Sequence, residues 1–314
     1  MKKLAYSLIV LSLLVLVTIS ASATDGNLIV NGGFEASSMA PTFPDVPSGT
    51  WTYYEIGSIG GWTVEHSFDS GNEYPPRLEV WDNLMGPAAD GDQHVELDGY
   101  DPTKISQTPS TTMGYCYELS YAWSPRPNVA DNQMKVYVGG EEVAHHSASG
   151  VGNSATAWNW ETYQFQATST STTIAFAEVG PDDQLGMLLD AVSLTECAPV
   201  AVGIDIKPGS DPNCFNSDGH GVIPVAILGS ADFDASTVDP FTVLLNGAVV
   251  RVKGKSGNAG SLEDVNGDGF QDLVVQIVDD SSYTVGDTTA TLSGVTYDGV
   301  RIVGTDTICI RPPE

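Results

Sequence analysis

Residues 264–278 read D-V-N-G-D-G-F-Q-D-L-V-V-Q-I-V, and the reading of this stretch decides the fold. Asp264, Asn266 and Asp268 place side-chain oxygens at alternate positions. Gly269 supplies a sharp turn, Phe270 offers its carbonyl, and Asp272 closes the set. That is the donor order of the first nine positions of a twelve-residue calcium loop, and calcium is a hard cation that takes six to eight oxygens. The twelfth position calls for a bidentate Glu, but Val275 stands there. The run that follows Asp272, Leu273 to Val278, is rich in β-branched residues and reads as a strand, not as an exiting helix. Three carboxylates this close repel one another unless something neutralises them. The stretch therefore predicts a calcium loop set between β elements.

The same pattern holds along the chain. Short alternating runs separated by Gly, Pro, Asn and Asp predict an all-β protein. Expected strands include Asn27–Asn31, Trp51–Ile56, Arg77–Trp81, His94–Leu97, Tyr115–Trp123 and Met187–Leu194. A seam at Ala198-Pro199-Val200-Ala201 divides the chain. The layout is a leader at 1–23, a first domain at 24–198, a linker at 199–202 and a β-sandwich module at 203–314. Each domain is long enough for its own core. The leader reads as a signal peptide: Lys2 and Lys3, an apolar run from Leu4 to Ile19, then Ala21-Ser22-Ala23 before a mature start at Thr24. Secretion follows, with no stable membrane insertion once the leader is removed.

Forty acidic residues face 12 basic ones, a net charge of −28, and loss of Lys2 and Lys3 deepens it. Nucleic acid is excluded as a partner by repulsion from its phosphates. Cys116, Cys197, Cys214 and Cys309 follow an export signal and predict two disulfides. Of three connectivities, the domain layout favours Cys116–Cys197 and Cys214–Cys309. Each closes a loop of roughly 80–100 residues, worth about 4–5 kcal/mol in the chain-entropy view.

Two acids in the first domain stand out. In Met187 to Leu194 alternation puts Asp190 on one face with Leu188, Val192 and Leu194, where a lone carboxylate is costly. Glu35 follows Phe34 at the end of the first expected strand. The two are expected to share a calcium ion with main-chain carbonyls.

A ligand face is read separately. In Arg77-Leu78-Glu79-Val80-Trp81-Asp82, Leu78 and Val80 share the core side, so Trp81 faces outward with Glu79. A Trp on a polar face suits stacking on the C–H face of a sugar ring, with charged neighbours bonding the hydroxyls. His94 and Glu96 are read on the same outer face, and Arg126, on the Pro-stiffened loop Ser124 to Asn128, brings a planar fork. Trp62, Trp123, Tyr117 and Phe165 are read as core aromatics, and His145-His146 as a solvated strand end.

N-L-I-V-N-G-G-F-E (27–35), G-W-T-V (61–64), G-D-Q-H-V-E-L-D-G (91–99), I-S-Q-T (105–108) and G-M-L-L-D-A-V-S-L (186–194) together resemble the galactose-binding-like jelly-roll domains. These include many carbohydrate-binding modules and cell-wall-associated domains. The resemblance implies a jelly-roll β-sandwich, sugar binding, and a structural calcium held by Glu35 and Asp190. Ala191 departs from it, since Asn or Asp often precedes V-S-L there. Residues 202–310, with V-G-I-D-I-K-P-G-S-D-P-N, G-V-I-P-V-A-I-L-G and the calcium loop, resemble a β-sandwich module found in tandem with others in secreted bacterial and archaeal proteins. That resemblance implies an Ig-like sandwich and no settled activity.

The expected protein is a secreted, non-catalytic, calcium-stabilised carbohydrate-binding protein whose partner is an extracellular glycan or cell-surface polymer. The alternative is a structural or adhesive surface protein that binds other surface proteins. A G-x-S-x-G, an H-E-x-x-H and a P-loop are all missing, and no carboxylate pair for glycoside hydrolysis is evident from the sequence, so no enzyme activity is expected.

Overall fold

In a computed structural model the described residues are 26–36, 44–55, 57–67, 75–254 and 257–312. The predicted leader at 1–23 lies outside them. The first domain contains β1 (Thr50–Glu55), β2 (Ser58–Ile59), β3 (Trp62–His66), β4 (Arg77–Asp82), β5 (Gln93–Glu96), β6 (Thr103–Gln107), β7 (Cys116–Ser124), β8 (Asn132–Val138), β9 (Glu141–Ala148), β10 (Asn159–Gln166), β11 (Ile174–Glu178) and β12 (Leu188–Glu196). They form two six-stranded sheets in the orders β1-β4-β5-β12-β7-β10 and β2-β3-β6-β11-β8-β9. This dealing of strands between two facing sheets is a jelly-roll sandwich. Its core is built by the inward alternates of each strand: Leu78 and Val80 of β4, Val95 of β5, Leu119 and Tyr121 of β7, Val136 of β8 and Phe176 of β11. Trp62 and Tyr117 are buried within it, and Trp123 and Phe165 pack against it, as read from the sequence.

The second domain contains β13 (Val200–Ala201), β14 (Ile204–Ile206), β15 (Cys214–Asn216), β16 (Val222–Ile227), β17 (Val238–Leu245), β18 (Ala248–Val249), β19 (Gly260–Glu263), β20 (Asp272–Val278), β21 (Thr289–Thr296), β22 (Arg301–Thr307) and β23 (Cys309–Arg311). A five-stranded sheet, β13-β22-β21-β17-β18, packs on a four-stranded one, β14-β16-β20-β19. They share one core that joins Val225, Val275 and Ile277 to Val243, Leu245, Leu292 and Ile302. The run 273–278 is a strand, as its β-branched residues predict. Cys116 pairs with Cys197 and Cys214 with Cys309, one disulfide within each domain. Among the described residues, no helix is long and apolar enough to cross a membrane.

Three readings are corrected. Residues 27–31 form turns, not a strand: the Asn27 side chain accepts the Ile29 and Leu194 amides, and Asn31 has φ +50°. The seam is not a free linker, because Val200 and Ala201 pair in parallel with Ile302 and Val303. The face of Asp190 is reversed. Ala191, at φ +52°, carries a bulge that shifts the β12–β7 register between Asp190 and Ser193. An extra residue swaps faces beyond it. Leu189, and not Leu188, therefore joins Val192 and Leu194 in the core, and Asp190 points to the outer face.

The domains touch through the β21–β22 turn. Gly299 accepts the Cys116 amide at 2.9 Å through its carbonyl, and Arg301 bonds Glu196 at 2.9 Å. A Cβ on Gly299, at φ +87°, would stand 2.3 Å from the Gly114 carbonyl oxygen. Only glycine fits that approach. Gly299→Val is expected to uncouple the domains and raise the radius of gyration in small-angle scattering while each disulfide-closed core stays folded. An unchanged scattering profile would show that the contact does not fix their arrangement.

Candidate functional site: the outer face of β1, β4 and β5

Alternation sends Glu79 and Trp81 of β4, and His94 and Glu96 of β5, to the face opposite the core. The register then aligns them in rows: Trp51, Trp81 and His94 in one, Tyr53, Glu79 and Glu96 in the next. Trp51 and Trp81 stack at 6.3 Å, Trp81 and His94 stack at 6.3 Å, and Trp158 meets His94 edge-on at 5.4 Å. The Trp81 indole donates to Glu79 at 3.1 Å. Arg126 forms an ion pair with Glu96 and lies 5.0 Å over the Trp81 ring. All five residues read as ligand-binding thus form one connected cluster.

That cluster is buried, which corrects the expectation of an open face. Trp81 is 2% exposed, Glu79 5%, and His94 and Glu96 0%. Loops cover them: Gly99 lies so close over Glu79 that a Cβ there would meet the Glu79 side chain at 2.1 Å, and the Gly186 amide donates to Glu96 at 2.8 Å. The surface open to solvent is one strand over, on the edge strand β1. Trp51 is 47% and Tyr53 46% exposed, their rings are 6.4 Å apart, and Arg77 lies over the rings of both Tyr53 and Tyr100. These aromatics were missed as site residues. Their signal was the W-T-Y spacing, which sets two rings on one face of a strand.

Burial governs the electrostatics. Glu79 and Glu96 face each other across β4 and β5, so the carboxylate pair not evident in the sequence does exist. Desolvation raises the pKa of both, with Arg126 pulling the other way. Desolvation also pushes Glu178 up to about 7 and Asp98 up to about 6, and pushes His94 down to about 4. His146, read as solvated, instead bonds the Tyr121 hydroxyl at 2.8 Å and stacks on Trp123 at 4.6 Å.

The residues read as calcium ligands sit elsewhere. Asp190 accepts the Ala89 and Asp90 amides, and Glu35 accepts those of Asp92 and Gln93. Burial raises the pKa of both acids, with Asp90 adding to each. In the second domain Asp264 accepts the Gly267, Asp268 and Gly269 amides, Asn266 that of Asp268, and Asp268 that of Phe270. Asp272 stands apart: it is 0% exposed, with one oxygen on the Gly229 amide and the other on the Val265 amide. Among the described residues, no three His, Cys, Asp or Glu side chains converge as a metal-ligating group.

A family described as a protein of unknown function (DUF642) matches residues 27–195, which contain the whole of this site. The chain belongs to that family. Halomucin of Haloquadratum walsbyi is 30% identical over 179 residues, covering 56% of this chain and 2% of that protein, so the chain spans a small fraction of this relative's length. A family 35 carbohydrate binding module from Clostridium thermocellum aligns with 42% of this chain and 96% of its own, at 14% identity and a TM-score of 0.28. The CBM22-1 xylan-binding domain from Paenibacillus barcinonensis Xyn10C aligns with 48% of this chain and 97% of its own, at 14% identity and a TM-score of 0.30.

The raised carboxyl groups bind protons more tightly in the folded state, so their stabilisation is complete at low pH and is lost as pH rises through the folded values. His94 acts in the opposite sense, but only between about pH 4 and its ordinary value of 6.5. Above that the acids act alone, with Glu178 near 7. In chelator, the melting temperature of the first domain is expected to fall between about pH 6.5 and 8, and Glu79→Gln to flatten the fall. A flat wild-type profile, or equal slopes in both proteins, would contradict this.

Proposed function

We propose that this chain is an extracellular, non-catalytic carbohydrate-binding protein whose two sandwiches are stiffened by calcium. The observation that carries the reading is the exposed pair Trp51 and Tyr53, seated on a bed of buried aromatic and charged groups. A sugar ring stacks its C–H face on such rings. Trp81 supports the platform from below and does not itself meet the sugar. Two disulfides suit an oxidising, extracellular setting. The second reading, a structural or adhesive surface protein, draws support from the glycine-tight junction between the domains, which suits a stiff spacer.

Calcium suits the donors available, all hard oxygens with no nitrogen or sulfur among them. In the second domain the side chains of Asp264, Asn266 and Asp268 and the Phe270 carbonyl would hold the ion. Asp272 would act by pinning the loop to Gly229 rather than by ligation. In the first domain Glu35 and Asp190 would share an ion with Asp90. Bound calcium would neutralise crowded acids and give rigidity rather than a signal.

On a glycan array Trp51→Ala is expected to lose about tenfold or more in affinity with its melting temperature held. Trp81→Ala, a large-to-small change in a packed site, is expected to destabilise by about 3–5 kcal/mol. Full binding by Trp51→Ala would defeat the platform, and no glycan signal from the wild type would favour the adhesive reading. Calcium in hundredfold excess over its Kd is expected to stabilise the second domain by about 2.7 kcal/mol, and Asp268→Ala to abolish the gain. Melting curves that coincide in calcium and in chelator would refute the bound ion.

A further inference from the structure

Cations are scarce here, and most are engaged. Arg77, Lys104, Arg126, Lys135 and Arg301 each pair with a glutamate, and Lys207 donates to the Cys214 carbonyl. Arg251, Lys253 and Arg311 differ, and of these Arg251 and Lys253 lie together. Both are exposed, and among the described residues neither side chain has an ion-pair or hydrogen-bond partner. Two free cations lie two residues apart on a surface where acids outnumber bases by more than three to one.

The fold holds them in place. The Arg251 amide bonds the Gln276 carbonyl of β20 at 2.7 Å, and Lys253 and Asn258 exchange backbone bonds at 2.8 and 3.1 Å. Arg251, Lys253, Asn258, Ser261 and Gln276 line a concavity of about 90 Å³ on the outer side of β19 and β20. Every polar side chain on its wall carries an N–H or O–H donor, and none is a carboxylate. The Asn258 carbonyl oxygen is occupied by the Gly260 amide, which leaves its NH₂ group to donate. The Ser261 hydroxyl is taken by Glu263 at 2.7 Å, so Arg251, Lys253, Asn258 and Gln276 are the donors available.

We propose that this concavity binds the carboxylate or sulfate group of an acidic polysaccharide. Unpaired guanidinium and ammonium groups beside two amides match an anionic oxygen cluster, with arginine able to bond it in bidentate fashion. The volume suits one anionic group. The acidity elsewhere repels an anionic chain along the rest of the surface, so binding rests on the one acid group seated in the pocket. The choice of a polysaccharide rests on the carbohydrate-binding reading of the first domain. A chain that engages both domains would gain affinity through effective concentration.

Amide resonances of the full chain are followed by NMR during titration with alginate, dextran sulfate and neutral dextran oligosaccharides of matched length, and with inorganic sulfate. Gly260, Ser261 and Gln276 are expected to shift with alginate or with dextran sulfate, which separates carboxylate from sulfate as the preferred group, and not with neutral dextran. Binding is expected to weaken with added salt. The paired variant Arg251→Ala/Lys253→Ala is expected to weaken it at least about tenfold at an unchanged melting temperature. Trp51→Ala is expected to keep these shifts, so failure of the platform and failure of this pocket are told apart. No shift with either acidic oligosaccharide, equal binding by the paired variant, or inorganic sulfate binding as tightly as the oligosaccharides (an adventitious ion only) would each overturn the proposal.

Discussion

The ion pair between Arg126 and Glu96 is the constraint on which the outer face of the first sandwich depends. Glu96 is wholly buried, and a lone carboxylate there would be prohibitively costly. Arg126 supplies the opposite charge. With charge settled, the rest can pack: Trp81 lies against the guanidinium, His94 stacks on Trp81, the Gly186 amide caps Glu96 and Gly99 lies over Glu79. Removal of Arg126 alone would strand Glu96, a loss of about 3–5 kcal/mol in comparable buried pairs. The exposed rings of Trp51 and Tyr53, tilted 34° to each other, rest on this layer.

Much of this was legible in the sequence, and the rest was hidden for physical reasons. Period-two alternation sent Leu78 and Val80 inward and Glu79 and Trp81 outward, as found. It could not report burial, because the covering loops come from residues near 99, 126 and 186, remote along the chain. Nor could it foresee the bulge at Ala191, since one residue at positive φ reverses every face beyond it. Trp51 and Tyr53 were placed in a strand, yet their value lies in pairing with Trp81 and Glu79, and cross-strand register is not written locally. The cysteine pairing was legible because a seam between domains leaves each domain one pair. Asp272 held its place in the loop spacing, but its neighbour Gly229 belongs to another strand connection, which turns a predicted ligand into a brace.

The two domains meet glycans, in this view, with different chemistry. The first offers exposed aromatic rings over a buried aromatic and charged layer and suits the faces of sugar rings. The second offers free cations in an otherwise acidic shell and suits an acid group. The close contact of Gly299 with Gly114 holds these surfaces in one arrangement.

The most direct test of the platform is the set of indole N–H signals, one from each of the six tryptophans, followed by NMR as a bound oligosaccharide is titrated in. Stacking on β1 predicts that the Trp51 signal shifts most while the Trp81 signal, locked to Glu79, stays nearly still. A static Trp51 signal during saturable binding, with the response at Trp160 or at no tryptophan, would contradict it.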